Sequence, residues 1–88
     1  MALGEKMKQA TRGGARAYLL GHGWTRDKRC QTCNGEKAEV YVRPNWDIGV
    51  ALLLERDEAA AVLFAAHTLA IYERRSVEEV LKAFITAE

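Results

Sequence analysis

The residues best placed for chemistry lie between Trp24 and Pro44, in the stretch WTRDKRCQTCNGEKAEVYVRP. Both cysteines of the chain are here, as Cys30-Gln31-Thr32-Cys33. Two thiolates at that spacing can grip one side of a tetrahedral metal ion, and zinc is the ion such sites ordinarily take. His22 is the nearest candidate for a third ligand, and His67 is the other histidine. A structural zinc site needs four protein ligands. Such a set would be completed either by the histidines or by a homodimer that pools four thiolates; the alternatives are two reduced structural thiols, or a reactive, disulfide-forming pair.

A second chemistry is electrostatic. Arg26, Lys28, Arg29, Lys37 and Arg43 are interleaved with Trp24, Tyr41 and Trp46. Cations neutralise phosphate and aromatic rings stack on bases, so the combination suits nucleic acid; the alternative is that both tryptophans cap the ends of a small core. Lys8, Arg12 and Arg16 repeat every four residues, a basic ridge on one side of a helix. The net charge of +1 conceals this polarity. Met1 to Trp46 carries nine Lys/Arg against four Asp/Glu, whereas Asp47 to Glu88 carries four against eight. Such a split marks a surface for an anionic partner.

Acid–base and nucleophilic catalysis find no constellation here. A nucleophile needs an oriented base beside it, and His22 and His67 sit in a turn and in an alanine-rich segment. No Gly-x-Ser-x-Gly, His-Glu-x-x-His or phosphate-binding glycine loop occurs. The expectation is a protein without enzymatic activity.

The elements that must position these residues are legible from periodicity. Leu3, Met7, Ala10, Gly14 and Ala17 alternate spacings of four and three, which predicts a helix from about Gly4 to Leu20, with Tyr18 beside the stripe. Gly14 falls within the stripe, where a missing side chain lets another element approach. Gly21-His22-Gly23 then stops the helix. A strand follows with Trp24, Arg26, Lys28 and Cys30 on one side. Asn34-Gly35 is the dipeptide that best tolerates the positive φ angles of a two-residue hairpin turn. Ala38, Val40 and Val42 alternate with Glu39, Tyr41 and Arg43 as in a half-buried strand, which Pro44 ends. After a turn at Asn45-Trp46-Asp47, the run Ile48 to Glu55 (IGVALLLE) reads as a buried third strand, although a helical start fits its periodicity too.

Asp57 is placed to cap a helix from Glu58 to Glu73, whose apolar face is Ala59, Val62/Leu63, Ala66 and Leu69/Ala70, widened by Phe64 and Ile71. Ser76 with Glu79 makes a capping box for a last amphipathic helix carrying Val77, Val80, Leu81, Phe84 and Ile85. The expected fold is a single α+β domain over residues 1–88: an N-terminal helix, a three-stranded antiparallel β-meander, and two C-terminal helices packed on one sheet face. Eighty-eight residues bury only about 60–65% of the unfolded surface, so self-association or a metal would be a common aid to stability. Without an apolar leader, and with Glu55 to Glu58 interrupting the one long apolar region, the chain reads as cytoplasmic.

Three resemblances sharpen these expectations. Cys30 to Gly35 (CQTCNG) resembles half of one repeat in the cysteine-rich zinc domain of the DnaJ chaperone family, which implies Cys30 and Cys33 as ligands and nothing of chaperone activity. The order helix–three strands–helix is similar to double-stranded-RNA-binding domains. Those open the helix after the third strand with lysines, whereas Glu55-Arg56-Asp57-Glu58 here repels phosphate and departs from that family. The segment Tyr18 to Arg26 (YLLGHGWTR), with a strand ending in an aromatic and a proline and a late alanine-rich helix, resembles short accessory proteins of phages and mobile elements. That resemblance implies a protein that binds a host protein or ribonucleoprotein, as anti-CRISPR inhibitors do. The contact residues it would use are Lys8, Arg12, Arg16, Trp24, Arg26, Lys28, Arg29, Tyr41, Arg43 and Trp46, with direct nucleic-acid binding and a zinc-stabilised module as the alternatives.

Overall fold

The computed structural model describes residues 9–44 and 49–88. Over those residues the chain is α+β, with three helices packed on a four-stranded antiparallel sheet. The order is α1 (Arg12–Gly21), β1 (Thr25–Arg26), β2 (Thr32–Cys33), β3 (Glu36–Val42), β4 (Val50–Leu53), α2 (Glu58–Glu73) and α3 (Val77–Ala87). Leu3, Met7, Lys8, Trp46, Ile48 and the turn at Asn45–Asp47 lie outside the described residues.

Of the helix predicted from about Gly4 to Leu20, the described residues show Arg12–Gly21 helical and Gln9 to Thr11 outside it. Thr11 is the cap, its hydroxyl accepting from the Gly14 amide at 3.0 Å, and Gln9 and Ala10 precede the helix. Two carboxylates meet this helix start. Glu58 accepts from the Arg12 amide at 3.1 Å and Glu88 from the Thr11 hydroxyl at 2.7 Å, where the positive end of the helix dipole favours them. The buried face is also rotated from the expected stripe. Gly14, Ala15, Tyr18 and Leu19 are inside, while Ala17 is exposed. Tyr18 and Leu19 bring far more apolar area to bury than Ala17, so they set the face.

The hairpin turn is as expected: Asn34 and Gly35 both have positive φ, 51° and 84°, directly between the paired Cys33 and Glu36. Its first arm is not one strand. Thr25 and Arg26 pair with Val42 and Tyr41, and Thr32 and Cys33 pair with Lys37 and Glu36. Five residues thus face three across the gap, and the surplus is taken up by a turn. The Asp27 side chain accepts from the Arg29 amide at 3.0 Å, and the Asp27 carbonyl from the Cys30 amide at 3.2 Å. The expected alternation of Trp24, Arg26, Lys28 and Cys30 on one side is broken there.

Strand β4 occupies the core of the predicted third strand, and its four residues are all buried. It pairs with β3 in the register Glu39↔Leu52 and Tyr41↔Val50 on one face, Ala38↔Leu53 and Val40↔Ala51 on the other. In β3, Ala38 and Val40 are buried and Lys37 and Glu39 are not, as the alternation implied, and Tyr41 departs from it by being buried too. The helices lie over the Tyr41 side, joining Tyr41, Val50 and Leu52 to Trp24, Leu19, Leu69, Val80 and Phe84. The opposite side gathers Ala38, Val40, Ala51 and Leu53 with Ala61, against which Cys30 and Cys33 pack.

Helices α2 and α3 follow their caps. Asp57 accepts from the Ala60 amide, and Ser76 and Glu79 exchange both capping-box bonds. Between the helices, Arg74 takes the left-handed conformation (φ 56°) that reverses the chain. No helix among the described residues is long and apolar enough to cross a membrane.

Candidate functional site

The basic ridge on α1 is occupied by the fold itself. Arg12 Nε donates to the Leu53 carbonyl at 2.8 Å, and its Nη2 donates to the Arg56 carbonyl, so this side chain ties α1 to the end of β4. Arg16 makes a two-pronged pair with Glu39, Nε to Oε1 at 2.9 Å and Nη2 to Oε2 at 3.1 Å. Two planar groups in that arrangement match their geometry as well as their charge. Tyr41 Oη also donates to Glu39, at 2.8 Å, and Arg26 stands 3.7 Å away. Burial alone raises the Glu39 carboxyl, yet the bonds from Arg16 and Tyr41 outweigh it and hold the group below the usual carboxylate range.

Two aromatic residues expected on the contact surface are core residues. Trp24 is 1% exposed and Tyr41 2%. The indole lies between Tyr72, with ring centroids 5.9 Å apart, and the Arg43 guanidinium, 5.9 Å from its centroid. The physical reason is size: in a chain this short the largest rings are needed to close the core.

What remains outside is the hairpin arm. The turn at Asp27–Cys30 carries Lys28 and Arg29 into solvent, and Lys37 is exposed on β3. The acids of the hairpin are each matched: Asp27 by Arg29 at 3.7 Å, Glu36 by Arg56 at 2.7 Å, Glu39 by Arg16. Lys28 and Lys37 have no acidic partner among the described residues.

The cysteines are half-buried free thiols, with Cys30 Sγ donating to the Thr32 carbonyl at 3.6 Å. His22 is elsewhere. It stacks on Tyr18 at 3.9 Å between centroids, its Nδ1 2.8 Å from the Tyr18 carbonyl. His67 is exposed on α2. Among the described residues no three His, Cys, Asp or Glu side chains converge as a metal would require. Zinc on Cys30 and Cys33 would take its remaining ligands from outside that set, a second copy of the chain included.

One cluster carried no signal in the sequence. Tyr18 Oη donates toward the Glu73 carboxylate, 2.8 and 2.9 Å from its two oxygens, and accepts from Arg75 Nη2 at 2.9 Å. Tyr18 comes from α1, Glu73 is the last residue of α2 and Arg75 lies in the link to α3, fifty-five and fifty-seven residues along the chain from Tyr18. Burial, then the bond to Glu73, pushes the Tyr18 phenol up to about 12. A raised value contributes stability that is complete below the unfolded phenol's value of about 10 and is lost as pH rises through the folded value. Tyr18→Phe is therefore expected to flatten the fall in stability between about pH 10 and 12, read by urea unfolding at stepped alkaline pH. A wild-type slope in the variant would refute this linkage.

No family model matches the chain, and no match was found among curated proteins or solved structures.

Proposed function

We propose that the protein is a non-enzymatic binding module that presents the cations of its hairpin arm to an acidic protein surface. That surface belongs to a host protein or to the protein part of a ribonucleoprotein, in the manner of phage and mobile-element accessory proteins with anti-defence roles. The observation that carries the reading is the turn at Asp27–Cys30, which sets Lys28 and Arg29 in solvent; Lys37 is exposed as well, and neither lysine has an acidic partner among the described residues, while Arg29 stands 3.7 Å from Asp27. Among the described residues the contact set is Arg26, Lys28, Arg29 and Lys37, the last added to the residues expected from the sequence; Lys8 and Trp46 lie outside the described residues. Arg12 and Arg16 serve the fold, and Arg43 lies over Trp24.

The burial of Trp24 and Tyr41 favours protein over nucleic acid. Stacking on a ring contributes about 1–3 kcal/mol per base to single-strand binding, and neither ring can be reached on the arm. Phosphate contact alone would leave affinity steeply dependent on salt.

Reversing Lys28, Arg29 and Lys37 to Glu tests the reading. Affinity capture with wild-type and variant baits should lose an acidic partner at least about tenfold in the variant, since like charges across an interface cost several kcal/mol. The melting curve should be unchanged, because the three side chains are exposed. Equal capture by both baits overturns the assignment. A mobility shift with single- or double-stranded nucleic acid at low salt would transfer the arm to the nucleic-acid reading.

A further inference from the structure

Helix α2 is apolar around its whole circumference. No residue from Ala59 to Tyr72 carries a formal charge, in a chain where 28% of residues do, and a helix of that kind is normally covered on all sides. One side is covered, by burial of Ala61, Val62, Ala65, Ala66, Leu69 and Ala70. The other is open: Phe64 is 39% exposed and Ile71 78%, with His67 exposed between them. Phe64, His67 and Ile71 line a shallow depression of about 210 Å³.

The spacing along this open side is regular. Asp57, Ala60, Phe64, His67, Ile71 and Arg74 are separated by three, four, three, four and three residues. That is the 3.5-residue repeat of a helix seam built to meet another helix. Its ends carry opposite charge, since Asp57 is the N-cap and Arg74 the C-cap of α2. The seam is also complementary to itself when reversed. A two-fold axis between Ala65 and Ala66 sets Asp57 against the partner's Arg74, small Ala60 against the partner's Ile71, and Phe64 against the partner's His67. A parallel arrangement would instead place acid on acid and base on base.

We propose that α2 packs antiparallel against α2 of a second copy of this chain through this seam. An isologous contact of this kind needs one patch that matches itself, and the reversed seam provides it. Sixteen residues make a helix about 24 Å long, which alone covers less than the ~800 Å² per partner of a standard interface. The rest would come from the neighbouring groove. Leu63, 42% exposed, flanks the seam and lines the groove between α2 and α3, about 430 Å³, with Ala59, Leu81 and Ile85. The seam uses none of the hairpin cations, so it stands whether or not the arm binds a protein.

Sedimentation equilibrium of the full chain tests the proposal. Wild type is expected to dimerise, and Ile71→Glu to be monomeric with unchanged helix content. Asp57→Lys and Arg74→Glu should each weaken self-association by about tenfold, through like charges at both ends of the seam. Mixing those two variants should restore the dimer, because the exchanged charges then face each other. Arg74→Glu leaves the α2 cap at Asp57 in place, so its effect reads the contact and not folding. A wild-type monomer at every concentration, a dimer indifferent to Ile71→Glu, or a mixture no tighter than either variant alone would overturn it.

Discussion

Gly14→Ala is expected to destabilise the protein by about 2 kcal/mol, although alanine is the better helix former by about 1 kcal/mol. A Cβ at Gly14 would run into the Phe84 carbonyl oxygen and lie 3.2 Å from its carbon. Both are backbone atoms of α3, which no rotamer change can move aside, so α1 and α3 must separate. That opens the contact around Phe84, which is fully buried with its ring 5.5 Å from Tyr18. For a domain of this size the loss corresponds to a fall in Tm of roughly 10 °C. Gly13→Ala is the control. Its nearest neighbour would be the Thr11 hydroxyl at 3.6 Å, so the substitution should be neutral or stabilising. Thermal melts of the two variants decide the matter, and equal effects would contradict the close approach of α1 to α3.

Trp24→Ala is expected to cost about 3–5 kcal/mol, the range for deleting a fully buried large aromatic. In a chain whose total stability is of order 5–10 kcal/mol, that removes much of the folded population at 37 °C. The expectation separates two roles for one residue. A Trp on a contact surface can be truncated with little effect on folding, whereas this one joins Leu19 and Leu69 in the core with Tyr72 and Arg43 about its ring. Lys28→Ala, on the same hairpin, should change stability by no more than about 0.5 kcal/mol. Far-ultraviolet circular dichroism against urea distinguishes the two. A Trp24→Ala protein as stable as wild type would return the indole to the surface.

Local rules were enough for much of the architecture. Asn34-Gly35 predicts its turn because few dipeptides accept two positive φ angles. Asp57, and Ser76 with Glu79, predict where α2 and α3 begin, because a cap is satisfied within three residues of itself. The apolar run in Ile48–Glu55 yields β4, buried on both sides. The start of α1 was less legible. Periodicity from Leu3 to Ala17 carries on through Thr11, which instead caps the helix through Gly14, with Glu58 and Glu88 bonded to the Arg12 amide and the Thr11 hydroxyl.

The candidate site was legible as a list of residues and not as a surface. Sequence counts arginines without recording which carboxylate each will meet. Arg16 finds Glu39 across the gap between helix and sheet, and Arg56 finds Glu36, twenty residues away. Those pairings, made by folding, remove two cations from the exposed charge and leave Lys28 and Lys37 in it. The open seam of α2 follows the same logic. Its apolar residues are evident in the sequence, but which of them face the core depends on where the sheet and α3 lie.

By itself, then, the sequence determined the hairpin turn, the caps of α2 and α3, the buried strand β4 and the close approach at Gly14. Each depends on interactions within a few residues or on the bare absence of a side chain. Tertiary structure decided that Trp24 and Tyr41 are core, that Arg12 and Arg16 bind the fold together, and that His22 stacks on Tyr18 away from Cys30 and Cys33. The cysteine motif that looked most chemical packs against one face of the sheet, and the turn beside it delivers the exposed cations. Burial and charge pairing depend on which distant segments meet, and spacing along the chain does not encode that meeting.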